Sequence, residues 1–181
     1  MIKDSSKFVA IGAFWLALML GAPQLAAHEG EEKEAASAEE LSADQQAVVD
    51  TLNQYAAAME ASDLDGIAAV VTADDSFSSF EGTHLDVGWD SYREHVAPEM
   101  ALFEDTKYTF SDIKPAVIGD LAYATLRYEM DVVVVSDEFE NGRHPIYMAG
   151  AGTVVLERRD DSWKIRHMHM AREKGEVKQS E

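Results

Sequence analysis

The chain has 181 residues, 46% of them hydrophobic, which suits one globular domain with appendages. Acidic residues outnumber basic ones 34 to 15, and the net charge of −19 argues against nucleic acid and anionic membranes as partners, because both need basic patches. There is no cysteine, which excludes disulfides, thiol nucleophiles and lipid-modified cysteines.

The N-terminus reads as a secretory signal. Lys3 and Lys7 precede an apolar run from Phe8 to Leu20, the length of a signal core and too short to span a bilayer. Gly21 and Pro23 break the run, and Leu25-Ala26-Ala27 offers small residues for cleavage. Residues 1–27 are therefore expected to be removed, and the protein to be periplasmic or secreted. Residues 28–43 are acidic and nearly free of large apolar groups, which reads as a disordered leader. His28 would become the new terminus, where an amine and its own imidazole can chelate copper. Nothing nearby completes a rigid shell, so no metal ligand is assigned there.

The folded part is expected over 44–174, with 175–181 as a disordered tail. Ser42 and Gln45 fit a capping box. Val48, Leu52, Tyr55, Ala56 and Met59 then recur at helical spacing, so the first helix spans about 43–61. Asp63 can cap a short second helix, 64–72. Ser76 to Glu81 alternates weakly and reads as a strand, with His84 in a loop or short strand beyond it. Trp89, Tyr92, Val96 and Met100 mark a third helix that Pro98 should kink or end. Four strands follow, over about 108–118, 121–136, 146–158 and 162–171, with turns at Gly119-Asp120, Asn141-Gly142 and Asp160-Asp161. Helices followed by a run of antiparallel strands indicate an α+β fold. In the second of these four strands Ala122, Ala124, Leu126, Tyr128 and Met130 should face the core. Tyr123, Thr125, Arg127, Glu129 and Asp131 should face out.

The last strand, Ser162-Trp-Lys-Ile-Arg-His-Met-His-Met-Ala171, carries the most chemistry. A period of two puts Trp163, Ile165, His167 and His169 on one face and Lys164, Arg166, Met168 and Met170 on the other. Anchored by Trp163 and Ile165, the first set is expected to line a pocket. Arg166, Met168 and Met170 are then expected on the outer sheet face, as a homodimer contact.

Two phrases carry a resemblance. Tyr55 to Asp75 (YAAAMEASDLDGIAAVVTADD) and the ending Trp163-Lys-Ile-Arg-His-Met-His169 resemble the SnoaL-like branch of the nuclear-transport-factor-2-like superfamily, over about residues 44–173. The resemblance implies a cone-shaped, curved antiparallel sheet wrapped around a long N-terminal helix, with two further short helices and a pocket between sheet and helix. It also implies dimers through the outer sheet face. It does not fix an activity, since this fold serves isomerases, cyclases, dehydratases and assembly domains alike. Set against the ketosteroid isomerase branch, Tyr55 falls on the oxyanion tyrosine, Ser79 on the strand-borne base, and Val154 near the late aspartate. Ser79 cannot take a proton from carbon at neutral pH and Val154 cannot donate a hydrogen bond, so that chemistry is not expected.

The candidate proton carriers are His167 and His169, about 7 Å apart on one face, with Tyr55 as a hydrogen-bond donor. The same two imidazoles could ligate a metal with His84 or Glu81, or be satisfied polar groups at the pocket mouth. No metal-motif spacing is present, and neither metal nor cofactor is expected. His84 and His95 read as surface or rim. Trp163, Ile165, Trp89, Tyr92, Phe77, Tyr128 and Ser79 are expected to line the pocket, an aromatic site suited to a small apolar ligand. The expectation is an exported domain that binds such a ligand with no catalysis required. The alternatives are a histidine-dependent lyase, isomerase or cyclase, and a dimeric assembly or adaptor domain.

Overall fold

A computed structural model describes residues 40–173. The signal-like segment, most of the acidic leader and the C-terminal tail lie outside these residues. Ser42 caps α1 (Ala43–Glu60): its hydroxyl accepts from the Gln45 amide, and the Gln45 side chain returns a bond to the Ser42 amide. Val48, Leu52, Tyr55 and Met59 form the buried stripe. Asp63 caps the short α2 (Leu64–Val70) by accepting from the Gly66 amide at 2.9 Å. After β1 (Ser78–Glu81) and β2 (His84–Val87), α3 (Trp89–Met100) buries Tyr92, Val96 and Met100. Pro98 sits in its last turn, where few helical bonds remain to be lost, and α3 runs on to Met100 rather than ending at the proline.

The strands β3 (Phe103–Ile118), β4 (Leu121–Val135), β5 (Arg143–Arg159) and β6 (Ser162–Arg172) form an antiparallel meander. With β1 and β2 they make one open sheet in the order β2-β1-β6-β5-β4-β3. The fold is α+β, with three helices on a curved, unclosed six-stranded sheet. α1 touches both β3 and β6 although two strands separate them, so the sheet bends round the helix. Irregularities in β3, between Glu104 and Lys107 and between Ser111 and Lys114, supply part of the bend. Asp105 and Asp112 take positive φ there, a conformation short polar side chains tolerate.

The sheet departs from the expected all-antiparallel design at one place: β1 pairs with β6 in parallel. That pairing is long-range, and no local pattern reports it. His84 opens the short strand β2, which forms an antiparallel hairpin with β1. The alternation in β4 is as expected: Ala122, Ala124, Leu126, Tyr128 and Met130 are buried, and the intervening residues through Asp131 are exposed.

A bulge in β6 decides which side chains reach the interior. Val155 pairs with His167 and the next residue, Leu156, pairs with Ile165, so Arg166 is the extra residue. One inserted residue exchanges the faces of everything beyond it. Trp163 and Ile165 are buried before the bulge, and Met168 and Met170 are buried after it. Arg166 and His167 both lie on the outer side, Arg166 against Glu157 and His167 opposite Val155. The expected inward histidines and outward methionines are therefore reversed.

Candidate functional site

The site is built from the residues that this bent sheet holds away from its helices. Between them lies a cavity of about 420 Å³. α1 contributes Tyr55 and Met59, α3 contributes Val96, Glu99 and Met100, and the β1–β2 turn contributes Glu81, Gly82 and Thr83. The sheet adds Phe103 and Tyr108, Tyr128 and Met130, Met148, and finally Met168, Met170 and Arg172. Six of the chain's eight methionines are in this wall. Thioether side chains are unbranched and polarisable, so they fit irregular apolar shapes and contact aromatic rings favourably.

The aromatic side of the cavity is hydrogen-bonded. The hydroxyls of Tyr55 and Tyr92 lie 2.5 Å apart, both fully buried. Tyr55 also stacks on Phe110 and meets Tyr108 edge-on. Burial pushes the phenols of Tyr55, Tyr92 and Tyr108 well above their ordinary range, so all three keep their protons at neutral pH. Glu81 is the acid at the mouth of the cavity, on an exposed strand end. Desolvation raises its carboxyl above the usual range, Glu99 and Asp86 add to the rise, and His95 and His84 oppose it. A raised carboxyl among phenols can donate a hydrogen bond when protonated and accept a proton when ionised.

Next to Glu81, on the same face of the hairpin, stands a second polar cluster. The register pairs Glu81 with His84 and Ser79 with Asp86. Asp86 is buried, accepts from the Ser91 hydroxyl at 2.8 Å, and lies 2.8 Å from Nδ1 of His95 on α3 and 3.4 Å from Nε2 of His84. The two imidazoles face each other with ring centroids 4.3 Å apart. Burial would lift the Asp86 carboxyl, but the bonds from Ser91 and His95 hold it below its ordinary value. His95 is raised despite its own burial, because Asp86 and the neighbouring carboxylates favour its proton.

Of the residues expected from the sequence, Tyr55 and Tyr128 reach the cavity. Phe77, Trp89, Tyr92, Trp163, Ile165 and Ser79 lie behind it instead. Phe77, Trp89 and Tyr92 pack into an aromatic cluster with centroids 5.2–6.3 Å apart. Trp163 sits under the Arg158 guanidinium, 4.4 Å from its ring. The Ser79 hydroxyl is buried without a partner. His167 and His169 are on the outer sheet face, where Ser78 Oγ lies 2.8 Å from Nδ1 of His167 and the Phe80 ring packs against both imidazoles. Burial, and then the charge of His169, lower the His167 pKa. Neither imidazole touches the cavity, so neither is placed to move a proton there. Met168 and Met170, expected in a dimer contact, are enclosed within the domain.

The methionine wall could have been read from the last strand. Its large apolar residues change phase, from 163 and 165 to 168 and 170, and a one-residue phase change within a strand is what a bulge leaves in a sequence.

This cone of sheet, helix and cavity can be set against known proteins. The profile of the SnoaL-like domain matches residues 48–171. The chain belongs to the SnoaL-like domain family. Solved nuclear-transport-factor-2-like structures share its fold. A nuclear-transport-factor-2-like protein of Salmonella enterica serovar Typhimurium superposes with a TM-score of 0.64 at 18% identity, covering 76% of this chain and 96% of that one. A hexachlorocyclohexane dehydrochlorinase gives 0.59 at 16% identity, covering 72% and 85%. A CaMKII hub of S. rosetta gives 0.57 at 19% identity, covering 74% and 100%. At these identities the likeness concerns the fold. No curated protein sequence matches the chain significantly.

Proposed function

We propose that this SnoaL-like domain binds a small, largely apolar molecule in its methionine-lined cavity, with Glu81 meeting the polar end of the ligand. One observation supports this reading above the others. A cavity of about 420 Å³ walled by thioethers and phenols, with charged groups only at the exposed Glu81, Glu99 and Arg172, has the size and polarity of a small-molecule site. A neutral fluorescent probe such as N-phenyl-1-naphthylamine should bind saturably at one site per chain. Met148→Trp fills the cavity from a half-buried position and should weaken binding at least about tenfold. The pH course carries its own sign. Ionised Glu81 disfavours an apolar occupant, so affinity should be highest below the ordinary carboxylate range and fall as pH rises through the raised value, and Glu81→Gln should flatten that fall. Binding indifferent to Met148→Trp would refute the cavity as the site.

A second reading keeps the same cavity and adds proton transfer. The dehydrochlorinase named above is an eliminating enzyme, and a carboxyl raised by desolvation suits proton removal near neutral pH. In this reading Glu81, rather than His167 or His169, carries the proton, and the Tyr55 or Tyr108 phenol donates a hydrogen bond.

Two further parts of the proposal rest on the sequence. Export rests on the signal-like segment before His28, and N-terminal sequencing of exported protein should begin at or near His28; protein beginning at Met1 would refute cleavage. A homodimer would use the outer sheet face around Phe80, Tyr123, Val155 and His167, since Met168 and Met170 are unavailable to it. In sedimentation, a monomer at micromolar concentration would count against it.

A further inference from the structure

The cluster beside the cavity lies outside the proposed ligand site. We propose that His84, Asp86 and His95 bind a divalent transition-metal ion of the zinc type. One ring nitrogen from each histidine and a carboxylate oxygen of Asp86 all lie within 4.8 Å of one another. Ligands around such an ion sit about 2.0–2.2 Å from it, which sets neighbouring donors roughly 3–3.5 Å apart. Nδ1 of His95 lies 2.8 Å from Oδ2 of Asp86 and Nε2 of His84 lies 3.4 Å from Oδ1, so each imidazole is near that spacing from one carboxylate oxygen. Only His84 has to turn, and it is free to do so because its side chain is 56% exposed.

The supporting features are those of a prepared site. Asp86 is almost fully buried, with one oxygen at 2.8 Å from Ser91 Oγ and the other at 2.8 Å from Nδ1 of His95. Ser91 donates to one of its oxygens and fixes the plane of the group, as outer partners of metal-ligating carboxylates do. His84 and Asp86 share one face of a strand, and His95 comes down on them from a helix, so the donors are carried by regular elements. Carboxyl groups also stand beside the cluster: Glu81 pairs with His84 across the hairpin, and Glu99 stands 3.6 Å from Nε2 of His95. Two imidazoles and one carboxylate are the donor set of borderline divalent ions and leave positions open for water or an added ligand. Thr83 and Glu99 line the cavity beside this cluster, so the ion would stand at the cavity rim.

Metal-free full-length protein titrated calorimetrically with zinc chloride should take up one ion per chain. His84→Gln/His95→Gln should lose at least about 100-fold in affinity, and Ser91→Ala about 10-fold. His84 and His95 are not core residues, so the double variant should keep the far-ultraviolet circular dichroism of the parent. Zinc should raise the melting temperature of the parent and leave that of the double variant unchanged. Equal zinc affinity in the parent and a folded double variant would overturn the proposal, and so would failure of the parent to bind. Should the double variant fail to fold, His84→Gln alone decides, because a surface change that leaves zinc binding intact removes His84 from the site.

Discussion

Gly150→Ala should cost the domain about 3 kcal/mol or more, or prevent folding altogether. A Cβ at this position on β5 would fall 2.0 Å from the carbonyl oxygen of Ala171 and 2.7 Å from the Tyr128 ring. The carbonyl belongs to the backbone of the neighbouring strand and cannot withdraw without opening the β5–β6 ladder. Gly152 is the internal control. Its added Cβ would meet the Met170 sulfur at 2.6 Å, the far end of a flexible side chain, so Gly152→Ala should be the milder change and should shrink the cavity instead. Urea unfolding of both variants gives the comparison. A Gly150→Ala midpoint equal to the parent's would mean that β5 and β6 are further apart than described.

Met168→Glu should destabilise by about 3–5 kcal/mol, because it buries an unpaired carboxylate. Met168 is 1% exposed and lies in the cavity wall among Met130, Met148 and Met170, with no basic group opposite it in the sheet ladder. His169→Glu, one residue on but on the exposed face, should change stability by less than about 0.5 kcal/mol. The pair measures the phase of β6 after the bulge. A tolerated Met168→Glu with a costly His169→Glu would restore the uninterrupted alternation and move both imidazoles inward.

How much of this was visible in the sequence differs along the chain. The start of α1 was legible because a capping box is local, and the faces of β4 were legible because residues 121–132 alternate without interruption. The resemblance to SnoaL-like proteins rested on two phrases and led to the α+β cone. The parallel β1–β6 pair was not legible, since residues nearly ninety positions apart choose each other through the whole fold. The candidate site was misread at its richest stretch. Trp163 and Ile165 set the phase only as far as the bulge, whereas an uninterrupted period of two carries the imidazoles inward with them. Met168 and Met170 held the contrary information, because two large apolar groups have little reason to face solvent in so acidic a protein. Glu81 ends an unremarkable four-residue strand, and its importance comes only from the cavity that the fold places beside it.

The methionine wall bears on how such a domain diversifies. Side chains with three free torsions accept many outlines, so the wall registers the bulk of an occupant more readily than its detail. In the proposed ligand-binding role, discrimination would then fall to the few charged groups of the lining, Glu81, Glu99 and Arg172. Exchanging one of these alters what is admitted while the packing of α1 against the sheet stays as it is. Selectivity and foldability are written in different residues, and a lineage can revise the first without renegotiating the second.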